Sequence, residues 1–87
     1  MIYRLTREFH GAEIRYKLLH YDRVLGGVIV RPEGDNVPII GRVSQPSDAK
    51  ALNTMWRHFG IEKRVRIEDG EVRVSSPSSS EYNYLSP

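Results

Sequence analysis

The sequence predicts an α+β domain in which an antiparallel sheet of about five to six strands is covered by one helix. Apolar and polar residues alternate along most of the chain, and turn-forming pairs such as Asp69-Gly70 separate the alternating runs. This is the pattern of strands that bury one face. Only residues 47–59 place apolar residues at spacings of three and four, as an amphipathic helix does. The predicted order of elements is therefore β-β-β-β-α-β-β.

The length and composition of the chain indicate one domain without a covalent crosslink. With 87 residues, the chain is near the smallest size at which an apolar core suffices, and it contains no cysteine. We assign the domain to residues 1–75 and a C-terminal tail to residues 76–87, where serine and proline predominate. Stability is then expected from packing alone or from a partner.

The first predicted hairpin turns at His10-Gly11. A two-residue turn there would pair Leu5 with Tyr16 on the core face, whereas a three-residue loop would shift this register. The other pairs predicted by the two-residue turn are Tyr3 with Leu18 on the core face and, on the outer face, Arg4 with Lys17, Thr6 with Arg15, and Glu8 with Glu13.

The third and fourth strands are predicted on either side of a turn cluster at residues 32–36. The third strand covers residues 24–30 and contains Gly26-Gly27, which indicates a bulge, a tight bend or a close approach of another backbone. The fourth strand covers residues 38–43. Because Pro38 has no N–H, we expect it at the start of the strand or on a sheet edge.

The helix is predicted to begin after Pro46, with Ser47 as its N-cap. Asp48 then lies in the first turn, where the helix dipole favours an anion, and Gly60 is the expected end. Trp56 is predicted to anchor the core, because a large aromatic residue contributes much of the burial in so small a domain. The apolar stripe of the helix comprises Ala49, Leu52, Met55, Trp56 and Phe59.

The second hairpin has the clearest signal in the sequence, because Asp69-Gly70 favours a two-residue type I′ turn that fixes the register. The predicted pairs are Glu68 with Glu71, Ile67 with Val72, Arg66 with Arg73, and Val65 with Val74. The aliphatic pairs are expected on the buried face. Arg66 and Arg73 would repel each other by up to roughly 1 kcal/mol unless an anion lies between them.

The charge of the chain is small, but it is carried mainly by arginine. The chain has 13 basic and 11 acidic residues, and its net charge of +2 is too small to indicate nucleic-acid binding by bulk attraction. Ten of the basic residues are arginines, whose planar fork suits phosphates and carboxylates. No run is long enough to span a membrane, and no signal-peptide core is present, so we expect a soluble cytoplasmic protein that binds no membrane.

No residue pattern indicates catalysis, a metal or a cofactor. His10, His20 and His58 lack the spacing of metal ligands. Most serines lie in the tail, where nothing would hold a hydroxyl beside a base. We therefore expect a protein that is not an enzyme and that takes no cofactor.

Two groups of residues are candidate binding sites. The first is a basic face, whose cations converge if both hairpins belong to one sheet and separate if they do not. The second is the tail, whose apolar residues would anchor on this domain or add as a strand to a partner. The candidates are Arg4, Arg15, Lys17, Arg64, Arg66 and Arg73 for the basic face and Tyr82, Tyr84 and Leu85 for the tail.

Two functions fit these candidate sites. The favoured one is a small interaction protein, such as an inhibitor, an adaptor or an assembly subunit, that binds a protein partner or a second copy of itself. The alternative is a nucleic-acid-binding module that contacts phosphates through the basic face. The small net charge favours the protein partner.

Overall fold

The computed structural model describes residues 2–76, which form six strands and one helix. The elements are β1 (Tyr3–His10), β2 (Glu13–His20), β3 (Arg23–Val30), β4 (Asn36–Ile40), α1 (Pro46–His58), β5 (Arg64–Glu68) and β6 (Glu71–Ser75). The α+β class and the order of elements are confirmed. The strands do not form one sheet, however, because β1-β2-β3-β4 make one antiparallel sheet and β5-β6 a separate hairpin.

The first hairpin turns one residue later than predicted, at Gly11-Ala12, so that His10 pairs with Glu13. Gly11 occupies the first turn position with a φ of 62°. Glycine adopts a positive φ more readily than histidine does, so Gly11 takes this position in place of His10. Each residue of β1 therefore pairs with the β2 residue two positions after the predicted partner. Because the shift is even, every side chain keeps its predicted face. The observed pairs include Tyr3 with His20, Arg4 with Leu19, Leu5 with Leu18, Thr6 with Lys17, and Glu8 with Arg15.

Of the three features predicted as alternatives at Gly26-Gly27, a bulge is present one residue before this pair, between β2 and β3. The register shifts between Leu18 and Leu19, and Leu25 is the extra residue on β3. The close backbone approach is also present, because a Cβ on Gly27 would lie 1.9 Å from the carbonyl oxygen of Tyr16. At the fourth strand, Pro38 lies within β4 and β4 is an edge of the sheet, as its missing N–H requires.

The helix begins at Pro46 with Gln45 as its N-cap, so the prediction of Ser47 as N-cap is wrong. Proline suits the first helical position because an N–H there has no partner within the helix. Trp56 is fully buried, as predicted, and its indole Nε1 donates a hydrogen bond to the carbonyl of Gly27 at 3.0 Å. The core between the helix and the strands comprises Leu18, Leu25, Val28, Val43, Ala49, Leu52, Met55, Trp56, Ile61 and Val65.

The second hairpin has the predicted register, and both Asp69 and Gly70 have the positive φ of a type I′ turn. The predicted burial of its aliphatic face is only half right. Val65 on β5 is 1% exposed, whereas Val72 and Val74 on β6 are 41% and 46% exposed. The reason is that α1 packs against β5 and leaves β6 at the outside of a two-stranded sheet.

Candidate interaction surface

The six candidate basic residues do not form one surface. Arg4, Arg15 and Lys17 belong to the four-stranded sheet, whereas the other three belong to the β5-β6 hairpin. Arg64 is occupied within the fold, because its Nη1 donates to the carbonyls of Ile61, Glu62 and Lys63 at 3.2, 3.0 and 2.9 Å. The sequence alone left open whether the two hairpins share a sheet. The structure separates them, and the single basic face is not present.

On the four-stranded sheet, Glu8 lies among the cations. Its Oε1 is 3.2 Å from His10 Nε2 and 3.6 Å from Lys17 Nζ, and Arg15 is its cross-strand neighbour. The hydrogen bond with His10, followed by the charge of Lys17, lowers the pKa of Glu8 below its usual value. Arg4 is different, because it forms no ion pair with any residue between 2 and 76.

On the hairpin, Glu68 lies between the two opposed arginines. Its Oε2 is 3.4 Å from Arg66 Nη2 and its Oε1 is 3.6 Å from Arg73 Nε, while Arg73 Nη2 also contacts Glu71 at 3.1 Å. These groups are exposed, and exposed ion pairs contribute roughly 0–1 kcal/mol each. The intervening carboxylate therefore relieves the repulsion that the register alone would predict.

A buried polar cluster at the start of α1 was missed by sequence reasoning. Asp48 is fully buried, and its Oδ2 accepts hydrogen bonds from Arg23 Nη2 at 3.1 Å and from the backbone N–H groups of Gln45 and Ser44 at 3.2 and 3.3 Å. His20 Nδ1 lies 3.6 Å from Asp48 Oδ1. The only local signal was an acid in the first helical turn, because the charged and aromatic partners, Arg23 and His20, lie more than twenty residues earlier in the chain.

The contacts of this cluster join two elements of the fold. The hydroxyl of Ser44 contacts Asp48 and Arg23 but forms no hydrogen bond with His20, so no nucleophile is paired with a base. Within the described part of the chain, no group of three or more histidine, cysteine, aspartate or glutamate residues could hold a metal ion. The Asp48 cluster fixes the β2-β3 turn against the start of the helix.

Residues 2–76 leave much of the apolar surface of β1 exposed. Leu5 is 56% exposed and Phe9 is 66% exposed, although both lie on the sheet face that forms the core further along. The helix packs over β2, β3 and β5 and does not reach across β1. An open groove of about 500 Å³ remains between β1 and α1, and it is lined chiefly by Tyr3, Leu5, Leu18, Met55, His58 and Phe59.

The edge strands of the two sheets differ in what satisfies or interrupts their outward backbone groups. At β5, the side-chain amide of Asn53 donates to the carbonyl of Val65 at 2.9 Å and accepts from its N–H at 2.7 Å, as a neighbouring strand would. At β4, Pro38 interrupts the edge. The eight-residue edge of β1 contains no proline, and no residue from 2 to 76 hydrogen-bonds to the backbone of Leu5, Arg7 or Phe9 from outside the sheet.

The predicted tail anchors Tyr82, Tyr84 and Leu85 lie outside the described residues, and their role stays a prediction.

Among residues 2–76, no helix has both the length and the apolar character needed to cross a membrane. Comparison of the chain with protein-family models, with curated proteins and with solved structures finds no match.

Proposed function

We propose that this chain is a small non-enzymatic interaction protein whose β1 strand is the main contact for a protein partner. The observation that carries the proposal is the exposure of Leu5 and Phe9 beside an apolar groove. Single exposed apolar residues are common on protein surfaces, but Leu5 lines an apolar groove and lies, with Phe9, on a strand at the edge of the sheet, a combination that is typical of an interaction site.

A partner that binds at β1 would bury apolar side chains that the fold leaves exposed. Burying a leucine or phenylalanine side chain contributes about 1.5–3 kcal/mol, and this domain leaves one of each largely in water on β1. A chain of 87 residues has little stability to spare. A partner that covers both side chains would recover this burial, and the backbone of β1 would supply hydrogen bonds at the same site.

The candidate cations fit the rim of such a contact better than they fit a phosphate-binding surface. Arg4 on β1 and Arg15 and Lys17 on β2 lie on the outer face of the sheet. Glu8 and Glu13 reduce the positive potential there. The nucleic-acid alternative relied on the basic face, whose candidate cations lie in two sheets, and this division favours the protein partner. We retain the hairpin arginines and the tail as secondary contacts of the proposed function.

The proposal is tested by capture of a partner from a nuclease-treated lysate on the immobilised full chain. The wild type should retain a protein partner, and the double variant Leu5→Ser/Phe9→Ser should lose at least nine tenths of it, roughly the tenfold effect of 1.4 kcal/mol. The matched control is Val72→Ser/Val74→Ser, which removes exposed aliphatic residues from β6 and should capture normally. Capture that depends on intact nucleic acid would favour the alternative, and equal capture by all three proteins would contradict the role of β1.

A further inference from the structure

The hydrogen-bonding phase of β1 follows from its turn. In an antiparallel hairpin with a two-residue turn, the pair next to the turn is hydrogen-bonded, and bonded and non-bonded pairs then alternate. His10 and Glu13 close the turn, so the even-numbered residues of β1 bond to β2 and the odd-numbered residues direct their N–H and C=O groups away from the sheet. The same count on β5 places the groups of Val65 outward, which is where Asn53 binds them.

The outward backbone groups of β1 limit which strand registers a second copy could use. Two antiparallel β1 strands must place odd residues opposite odd residues, because only then do their free N–H and C=O groups meet. Three central registers satisfy this condition, with Leu5, Thr6 or Arg7 at the two-fold axis. The Arg7-centred register places two arginines opposite each other, and the Leu5-centred register leaves Arg4 opposite Thr6. Charge complementarity therefore decides between them.

Only the Thr6-centred register pairs opposite charges. It sets Arg4 of one copy opposite Glu8 of the other, twice by symmetry, in non-hydrogen-bonded positions where side chains approach most closely. Both groups are available for this contact. Arg4 has no ion pair among residues 2–76, and the two ion pairs of Glu8 use Oε1 and leave Oε2 without a partner in that range.

The same register also brings apolar surface together on the other face. Leu5 lies opposite Arg7 of the other copy, and the two Leu5 side chains become diagonal neighbours within reach of each other. Arg7 already lies 5.3 Å from the ring of Phe9, so its stem can cover apolar surface while its guanidinium remains in water. The groove between β1 and α1 would then continue into the groove of the second copy.

We propose that the partner of β1 is a second copy of this chain, added antiparallel in the register that places Thr6 opposite Thr6 and Arg4 opposite Glu8. The two four-stranded sheets would become one sheet of about eight strands across a two-fold axis. This inference rests on the proposed function, because it names the occupant of the β1 surface. The edge at β4 takes no part, because Pro38 interrupts it.

The test exchanges the charges of the predicted pair in the full-length chain. Arg4→Glu opposes two glutamates at each pair and Glu8→Arg opposes two arginines, so each variant alone should dimerise roughly tenfold more weakly or worse. Mixing the two variants in equal amounts pairs every glutamate with an arginine and should restore dimers, as should Arg4→Glu combined with Glu8→Arg in one chain. Sedimentation velocity measures the affinities, and native mass spectrometry identifies mixed dimers by mass.

The matched controls are Arg31→Glu and Glu33→Arg, which make the same charge changes at an exposed ion pair in the β3-β4 turn and should dimerise like the wild type. A further variant, Arg7→Pro, removes one outward N–H and should abolish dimers without breaking the bonds to β2. A wild-type chain that stays monomeric at every concentration, or single variants that dimerise normally, would overturn the proposal. Capture of a different protein through β1 by a monomeric chain would leave the proposed function intact and overturn only this inference.

Discussion

At the scale of single residues, Asp48 has the most demanding environment in the domain. A buried carboxylate loses its hydration, and this cost is offset only where enough donors converge on it. Here a guanidinium from β3 and two backbone N–H groups before the helix point at one oxygen. The same carboxylate therefore caps α1 and fixes the β2-β3 turn against it.

Replacing Asp48 by alanine should lower the free energy of unfolding by about 3 kcal/mol, because Arg23 and the N–H groups of Gln45 and Ser44 lose their acceptor. Chemical denaturation monitored by tryptophan fluorescence measures the change, since Trp56 is in the core. The control is Asp22→Ala, an exposed acid in the neighbouring turn that should have little effect. Equal stability of the two variants would show that the cluster contributes nothing to the fold.

Glu68 should stabilise the hairpin because it lies between two opposed arginines. Glu68→Gln keeps the size of the side chain but leaves Arg66 and Arg73 without the shared carboxylate, so the free energy of unfolding should fall by about 0.5–1 kcal/mol at low salt. High salt should shrink this difference, because it screens the repulsion. Glu62→Gln, at an exposed position without an ion pair in residues 2–76, is the control for loss of one acid. A loss that does not depend on salt would contradict the electrostatic explanation.

At the scale of elements, the sequence predicts those turns and helices whose signals lie in neighbouring residues. Asp69-Gly70 fixed the second hairpin, and the spacing of Leu52, Met55 and Trp56 identified the helix and its buried side. At the first hairpin the turn lies one residue later than predicted, because the single glycine, Gly11, can take either position of a two-residue turn. The sequence also could not show that Asn53 closes the edge of β5, since that contact depends on how the helix packs.

Asn53 should contribute to stability by completing the hydrogen bonds of the β5 edge. Asn53→Ala removes one donor and one acceptor from Val65, and the expected loss in the free energy of unfolding is about 1–3 kcal/mol. The amide of Val65 should also exchange with solvent faster, as NMR would show. Thr54→Ala is the matched control, because that hydroxyl contacts only a carbonyl of its own helix. Unchanged exchange at Val65 would contradict the role assigned to Asn53.

At the scale of the whole molecule, the important result is the division into two sheets. Whether two hairpins share a sheet depends on long-range packing that neither hairpin encodes, so the separation of Arg4, Arg15 and Lys17 from the hairpin arginines could not be predicted. The same packing explains why residues 2–76 leave the apolar face of β1 largely exposed. One helix of 13 residues packs over the middle strands and the hairpin and leaves the outer strand exposed.

If β1 offers its backbone edge to another chain, amide hydrogen exchange along this strand depends on protein concentration. The full-length protein is compared by NMR in dilute and in concentrated solution, with the amides of Thr6 and Glu8 as internal controls because they bond to β2. The account predicts that Leu5 and Arg7 exchange rapidly when dilute and become protected when concentrated, while Thr6 and Glu8 stay protected throughout. Protection of Leu5 and Arg7 at every dilution would show that the chain already covers its own edge, and rapid exchange at every concentration would show that no second copy binds there; either result contradicts the account.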